Sequence, residues 1–147
     1  MQLTQFTDYA LRALIYIAIK EESSTITEIS DSYKISRHHL VKIIHKLGQL
    51  GYIQTIRGNK GGIKLNRSAQ EINLGKLIQD TEPNFHLVEC FDKEKGTCCI
   101  IPVCKLKTIL QSAQVDFLKT IGQYSLADII QNKQQLVEHL QLKPKAE

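Results

Sequence analysis

The stretch Ser36-Arg37-His38-His39-Leu40-Val41-Lys42-Ile43-Ile44-His45-Lys46-Leu47-Gly48-Gln49-Leu50-Gly51-Tyr52-Ile53-Gln54-Thr55-Ile56-Arg57-Gly58-Asn59-Lys60-Gly61-Gly62-Ile63-Lys64-Leu65 changes its period halfway along. Its first half opens on Ser36, an N-cap residue type, and carries Leu40, Ile43 or Ile44, Leu47 and Leu50 at helical spacing. A helix is therefore expected over 37–50, with Gly51 where a left-handed C-cap belongs. From Tyr52 the period falls to two. Tyr52-Ile53-Gln54-Thr55-Ile56 alternates and is β-rich, residues 57–62 form a glycine-rich turn, and Ile63-Lys64-Leu65 returns as a second strand. A basic helix followed at once by a hairpin with a basic tip reads as a recognition helix and its wing.

Upstream, Thr27 reads as the N-cap of a short helix ending near Tyr33, and Lys34-Ile35 as the turn into Ser36. Two short helices on a tight turn make a helix-turn-helix. Residues 6–19 lack Gly and Pro and are apolar on two faces, Phe6, Ala10, Ala13, Leu14 and Ile17 on one and Leu11, Ile15, Ala18 and Ile19 on the other. A helix apolar nearly all round is buried on most sides, which in 147 residues suggests a subunit interface as well as a core. Asp8 and Arg12 are its only charged members, an i,i+4 ion pair on spacing alone.

Charge is distributed unevenly. Residues 34–67 contain eight Lys and Arg and no Asp or Glu, within a chain whose net charge is only +4. A solvated helix face mixes signs, so the block reads as a phosphate-binding surface. Ser36, Arg37, His38, His39 and Lys42 on the helix and Arg57 and Lys60 at the wing tip are the expected contacts to double-stranded DNA. The glycine loop is no nucleotide cradle, since it lacks GxxxxGK followed by Ser or Thr and leads into a strand.

Downstream, Ser68 and Glu71 suggest a capping box, a helix is expected over about 73–80, and Pro83 ends it. A long helix is expected from Pro102, with Leu106, Leu110, Ala113, Phe117 and Ile121 as a stripe able to pair with a partner helix. Gly122 breaks it, and residues 125–128 cap a final helix. The expected architecture is mainly α with a small β-hairpin: a winged helix-turn-helix domain over 1–82, a cysteine-rich loop over 83–104, and a dimerisation helix with a C-terminal helix over 105–147. The longest apolar run, 13–19, is seven residues. A membrane helix needs about 20, so no membrane span is expected. No export signal is legible, and a cytoplasmic, reducing location is expected.

Cys90, Cys98, Cys99 and Cys104 fall within fifteen residues. Clustered thiols in a reducing compartment point to a metal or to redox chemistry. The spacing lacks the CxxC knuckles of a zinc ribbon and the CxxC of a thioredoxin-like site. Wider spacing on a loop suits an iron–sulfur cluster, with zinc and a redox thiol switch as alternatives. Cys104 stands at the start of the long helix, whose positive end favours an anionic, ligating thiolate. Cys98 and Cys99 are neighbours, so one of them is spare, and an oxygen or nitrogen donor can complete the set. His86 and Glu89 are outside candidates for that place. No catalytic acid–base constellation is present, so an enzyme is not expected.

The opening Met1-Gln2-Leu3-Thr4-Gln5-Phe6-Thr7-Asp8-Tyr9-Ala10-Leu11-Arg12-Ala13-Leu14 resembles the first helix of the iron–sulfur winged-helix repressors. Ser36-Arg37-His38-His39-Leu40-Val41-Lys42-Ile43-Ile44 resembles their recognition helix, and Leu50-Gly51-Tyr52-Ile53 with Arg57-Gly58-Asn59-Lys60-Gly61-Gly62-Ile63 resembles their wing. Pro102-Val103-Cys104-Lys105-Leu106-Lys107 and Tyr124-Ser125-Leu126-Ala127-Asp128 match later parts. The resemblance spans nearly the whole chain and is nearest to the nitric-oxide-sensing branch. It implies three loop cysteines as cluster ligands, Cys90, Cys98 and Cys104, with Cys99 as the alternative to Cys98, and Asp8 from the partner subunit as the fourth. The implied cofactor is one 4Fe-4S cluster per subunit, with 2Fe-2S as the alternative. The implied protein is a homodimeric repressor that binds a palindromic operator and senses nitric oxide. A regulator of the same fold that responds to iron or redox state, or uses a thiol switch or zinc instead of a cluster, is the competing expectation.

Overall fold

The structure is a computed structural model that describes residues 2–20, 22–58 and 61–142. Seven helices are assigned among them: α1 Gln5–Lys20, α2 Ile26–Tyr33, α3 Arg37–Gln49, α4 Leu74–Thr81, α5 Lys105–Ile121, α6 Leu126–Ile129 and α7 Lys133–His139. The strands are β1 Ile53–Ile56 and β2 Gly62–Leu65. Short 3-10 turns lie at Ala69–Glu71, Glu89–Phe91 and Ile101–Val103. The mainly helical winged-helix architecture expected from the sequence is therefore present.

α1 is the hub, packed against α2, α3, β2, α4, α6 and α7. Ala10, Ala13 and Leu14 are fully inaccessible and Ile17 nearly so, while Leu11, Ile15 and Ala18 are half-buried. The first face is thus mostly core, apart from half-buried Phe6, and the second is less completely covered, apart from Ile19, which is buried. Ile29, Leu40, Ile43, Leu47, Ile72 and Leu77 close the core around it.

The cap of α2 is Thr25, not Thr27. Thr25 Oγ1 accepts from the Glu28 backbone N–H at 3.2 Å, and Glu28 Oε2 accepts from the Thr25 N–H at 2.7 Å. The reciprocal pair needs an acid three residues on, which Thr25 has and Thr27, followed by Ser30, lacks. Lys34 then takes a left-handed conformation, φ 56°, and the Ile35 N–H returns to the Ser30 carbonyl at 3.1 Å, which makes the turn of the helix-turn-helix.

The wing is antiparallel, pairing Ile53 with Leu65, Gln54 with Lys64, Thr55 with Ile63 and Ile56 with Gly62. Ser24 adds an antiparallel bridge on the other side of β2, exchanging backbone hydrogen bonds with Ile63 at 2.9 and 2.7 Å. That approach explains Gly62. Its φ is +151°, and a Cβ there would lie 2.8 Å from Ser23 Cβ and from the Ser24 carbonyl oxygen.

The C-terminal part departs from expectation in two respects. Pro102 belongs to the 3-10 turn, and α5 starts only at Lys105, after Cys104 resets the backbone to an extended conformation. The single final helix is instead two short ones, α6 capped by Ser125 and Asp128, and α7. A backbone bridge, Leu74 N–H to Tyr124 O at 2.9 Å and Leu126 N–H to Ile72 O at 2.8 Å, brings the chain after α5 back to the core, where Leu126 is fully buried.

Candidate nucleic-acid interface and cysteine segment

α3 divides cleanly. Leu40, Ile43, Ile44 and Leu47 are buried, and Arg37, His38, Val41, Lys42, His45, Gly48 and Gln49 are exposed. The helical repeat sets the second group opposite the first, so the expected DNA contacts Arg37, His38 and Lys42 face outward together. Ser36 holds the N-cap position but its side chain makes no capping bond. The first N–H groups of a helix lack intrahelical partners and suit a phosphate oxygen. His39 is exposed and lies against Tyr9 of α1, ring centroids 6.4 Å apart. Arg57 is exposed at the end of β1, and Lys60 lies outside the described residues.

Arg67, counted with the basic block, has a different task. Its Nε donates to the Gly51 carbonyl at 3.1 Å and its Nη2 to the Leu50 carbonyl at 3.3 Å, and its guanidinium lies 4.9 Å from the Tyr52 ring centroid. A cation on the last carbonyls of a helix complements the dipole. Asn66 joins it on the Gly51 carbonyl at 3.2 Å. Tyr52 donates to Asp80 Oδ2 at 2.7 Å. Burial first, then the hydrogen bond to Asp80, push the Tyr52 phenol well above its ordinary range, so it remains a donor. Sequence reasoning misses this clamp on the recognition helix. Its only signal is a basic residue arriving at a glycine C-cap from across a hairpin.

The cysteines lie on the segment between α4 and α5. None is in a disulfide; Cys90 and Cys104 are half-buried, and Cys98 and Cys99 are exposed. Cys90 sits in the turn Glu89–Phe91. Cys98 opens a turn closed by the Ile101 N–H on its carbonyl at 3.3 Å. Cys104 is the N-cap of α5, its Sγ accepting from the Lys107 N–H at 3.4 Å. Glu89 Oε1 accepts from the Thr97 N–H at 3.1 Å and from its hydroxyl at 2.8 Å. These bonds, the backbone one foremost, hold the Glu89 carboxyl below the usual range and tie the residue before Cys90 to the residue before Cys98. Glu89 is thereby engaged in the loop, and His86 Nδ1 lies 3.8 Å from Asp92. Among the described residues no three His, Cys, Asp or Glu are grouped to hold a metal ion. Asp8 pairs with Arg12 of its own helix at 2.7 Å, both side chains 43% exposed. The start of α1 is in turn tied to the end of α4, because Glu82 Oε1 accepts from the Thr4 N–H at 2.8 Å and Thr7 donates to Thr81 at 3.0 Å.

Residues 3–132 match the family described as Rrf2, iron-dependent transcriptional regulator. The chain belongs to the Rrf2 family. It is 45% identical over 145 residues to the HTH-type transcriptional regulator NsrR of Bacillus subtilis, covering 97% of this chain and 99% of that protein. With NsrR of Bacillus licheniformis it shares 48% identity over 135 residues, 90% of this chain and 94% of the relative. Among solved structures it resembles T. potens IscR, with a TM-score of 0.73, 17% identity and coverage of 99% and 94% of the two chains. It also resembles CymR, the global cysteine regulator of B. subtilis, with a TM-score of 0.69, 23% identity and coverage of 88% and 95%. The structural likenesses establish the fold. As an Rrf2 protein the chain is a DNA-binding transcriptional regulator and not an enzyme. Among the described residues no helix is long and apolar enough to cross a membrane.

Proposed function

We propose that the chain acts as a homodimer whose hold on a palindromic operator is set by an iron–sulfur cluster and released by nitric oxide. The observation that carries this reading is the set of four free thiols, none fully buried, between α4 and α5, where the bonds from Thr97 to Glu89 tie the residue before Cys90 to the residue before Cys98. Such donors fit iron, which takes thiolates. Cys90, Cys98 and Cys104 would hold the cluster, with Cys99 as the alternative to Cys98 and Asp8 of the partner subunit as the fourth ligand. The cluster, 4Fe-4S with 2Fe-2S as the alternative, supplies reactivity toward nitric oxide when bound.

Asp8 is available for that role because its present partner holds it weakly. An i,i+4 ion pair is worth about 0.2–0.5 kcal/mol, and solvent screens this one, since both groups are 43% exposed. A metal bond replaces it at little cost. The Arg12 guanidinium lies 5.7 Å from the Tyr9 ring centroid, and Tyr9 abuts His39 on α3. Exchange of Asp8 from Arg12 to the partner's loop thus alters the packing beside the recognition helix. The exposed apolar residues of α5, Leu106, Ile109 and Val115, are the surface a second copy would cover.

The test uses anaerobically purified protein. Iron and sulfide per chain, circular dichroism and operator affinity are measured before and after nitric oxide, on wild type and Asp8→Ala. The expected wild type carries both elements and loosens from DNA with nitric oxide. Asp8→Ala should stay dimeric, assemble its cluster on three thiolates, change its spectrum, and bind DNA more nearly like the apo form. Zinc in place of iron would overturn the cluster, and a variant matching wild type in spectrum and affinity would return Asp8 to a helix ion pair.

A further inference from the structure

Val41 lies off the apolar stripe of α3 and is 52% exposed. It sits one turn after Arg37 and His38 and one turn before His45, at the centre of the exposed basic face. Nothing in the helix explains the choice. A β-branched residue is a poorer helix former than the Lys, Gln or Arg suited to a solvated face, and its two γ-methyls gain little from the core. A surface that Val41 fits must come from outside the chain. On the major-groove face of DNA, thymine is the base that presents an apolar group, its C5-methyl. The neighbouring Arg37 and Lys42 are donors only. They can find guanine acceptors or phosphates, but they cannot sense a methyl group.

We propose that Val41 packs its γ-methyls on the C5-methyl of one thymine in each operator half-site and selects thymine there; this rests on α3 being the DNA-reading helix. The probe is a duplex enriched by the wild-type protein from a random-sequence pool, then remade with each thymine replaced in turn by deoxyuridine, which removes only the methyl. Wild-type protein should lose about fourfold in affinity at one thymine per half-site, the fold-change equivalent to ~0.8 kcal/mol for one buried methyl-sized group. Val41→Ala, which keeps the helix and removes both γ-methyls, should bind the parent duplex more weakly and show no penalty at that thymine. Penalties at the other positions should match the wild type. If wild type binds the duplex but both proteins show the same deoxyuridine profile, the Val41 assignment is wrong and the DNA-reading role of α3 stands. If wild type selects no duplex at all, the DNA-reading role falls and takes Val41 with it.

Discussion

Cys98 and Cys99 are adjacent and both exposed, and the proposed ligand set has room for one of them. Cys98 follows Thr97, which Glu89 holds beside Cys90, so Cys98 is the better placed of the two. Iron and sulfide assays on anaerobic variants should find Cys90→Ser, Cys98→Ser and Cys104→Ser empty and Cys99→Ser loaded. A loaded Cys98→Ser beside an empty Cys99→Ser would reverse the assignment. Cys104→Ser is informative for a second reason: serine caps helices well, so α5 should keep its helicity while iron is lost. Gly48 offers a stability measurement at the same scale. It lies inside α3, and a methyl group added there would meet nothing within 4 Å. Gly48→Ala should therefore raise stability by about 0.5–1 kcal/mol in urea unfolding. How far single residues are legible in the sequence depends on whether their partners are near along the chain. Asp8 with Arg12 can be read as an i,i+4 pair, and that pair is present. The role of Arg67 cannot be read, because the Leu50 and Gly51 carbonyls it binds reach it only once the hairpin has folded.

At the scale of elements, α2 depends on its N-terminal box. Burial pushes the Glu28 carboxyl up, but hydrogen bonds from Lys20 and from Thr25 outweigh it, and the net pKa is below the ordinary 4.5. A group whose folded pKa is depressed adds stability above its unfolded pKa and loses it as pH falls through the folded value. Wild-type stability should therefore drop below pH 4.5 more steeply than that of Glu28→Gln, the pH-dependent difference vanishing once Glu28 is protonated in the folded as well as the unfolded state. Thermal unfolding from pH 7 to 3 measures it, and parallel curves would show that the box contributes no pH-dependent stability. The helices and wing are legible because burial imposes periods of 3.6 and 2 on the sequence. Residues 84–104 are not, since their order comes from side chains such as Glu89 and Asp92 bonding backbone N–H groups at irregular spacings. The long helix is legible in position but not in orientation. Its expected single stripe is divided, with Leu110, Phe117 and Ile121 half-buried toward their own chain and Leu106 and Ala113 exposed.

At the scale of the molecule, α5 has no buried residue, and Leu106, Ile109 and Val115 are 60%, 63% and 62% exposed. A helix so placed on a small protein is short of a partner. Ile109→Glu should convert the proposed dimer to monomers in sedimentation velocity without unfolding the monomer, since the side chain is 63% exposed in one chain. Operator affinity should fall sharply as the second half-site contact is lost. A variant that remains dimeric would move the interface off α5.

Leu126 also bears on the order in which the protein is made. The recognition helix leaves the ribosome early, yet the core behind it includes a side chain from position 126 and is held by the Leu126 N–H on the Ile72 carbonyl. At about 5–20 residues per second, the chain spends several seconds with α3 synthesised and its support unfinished. Chains cut short within α5 or before it lack that closing residue. They should be less stable than chains that reach Leu126, because the core behind α3 then lacks that side chain and its backbone bond to Ile72.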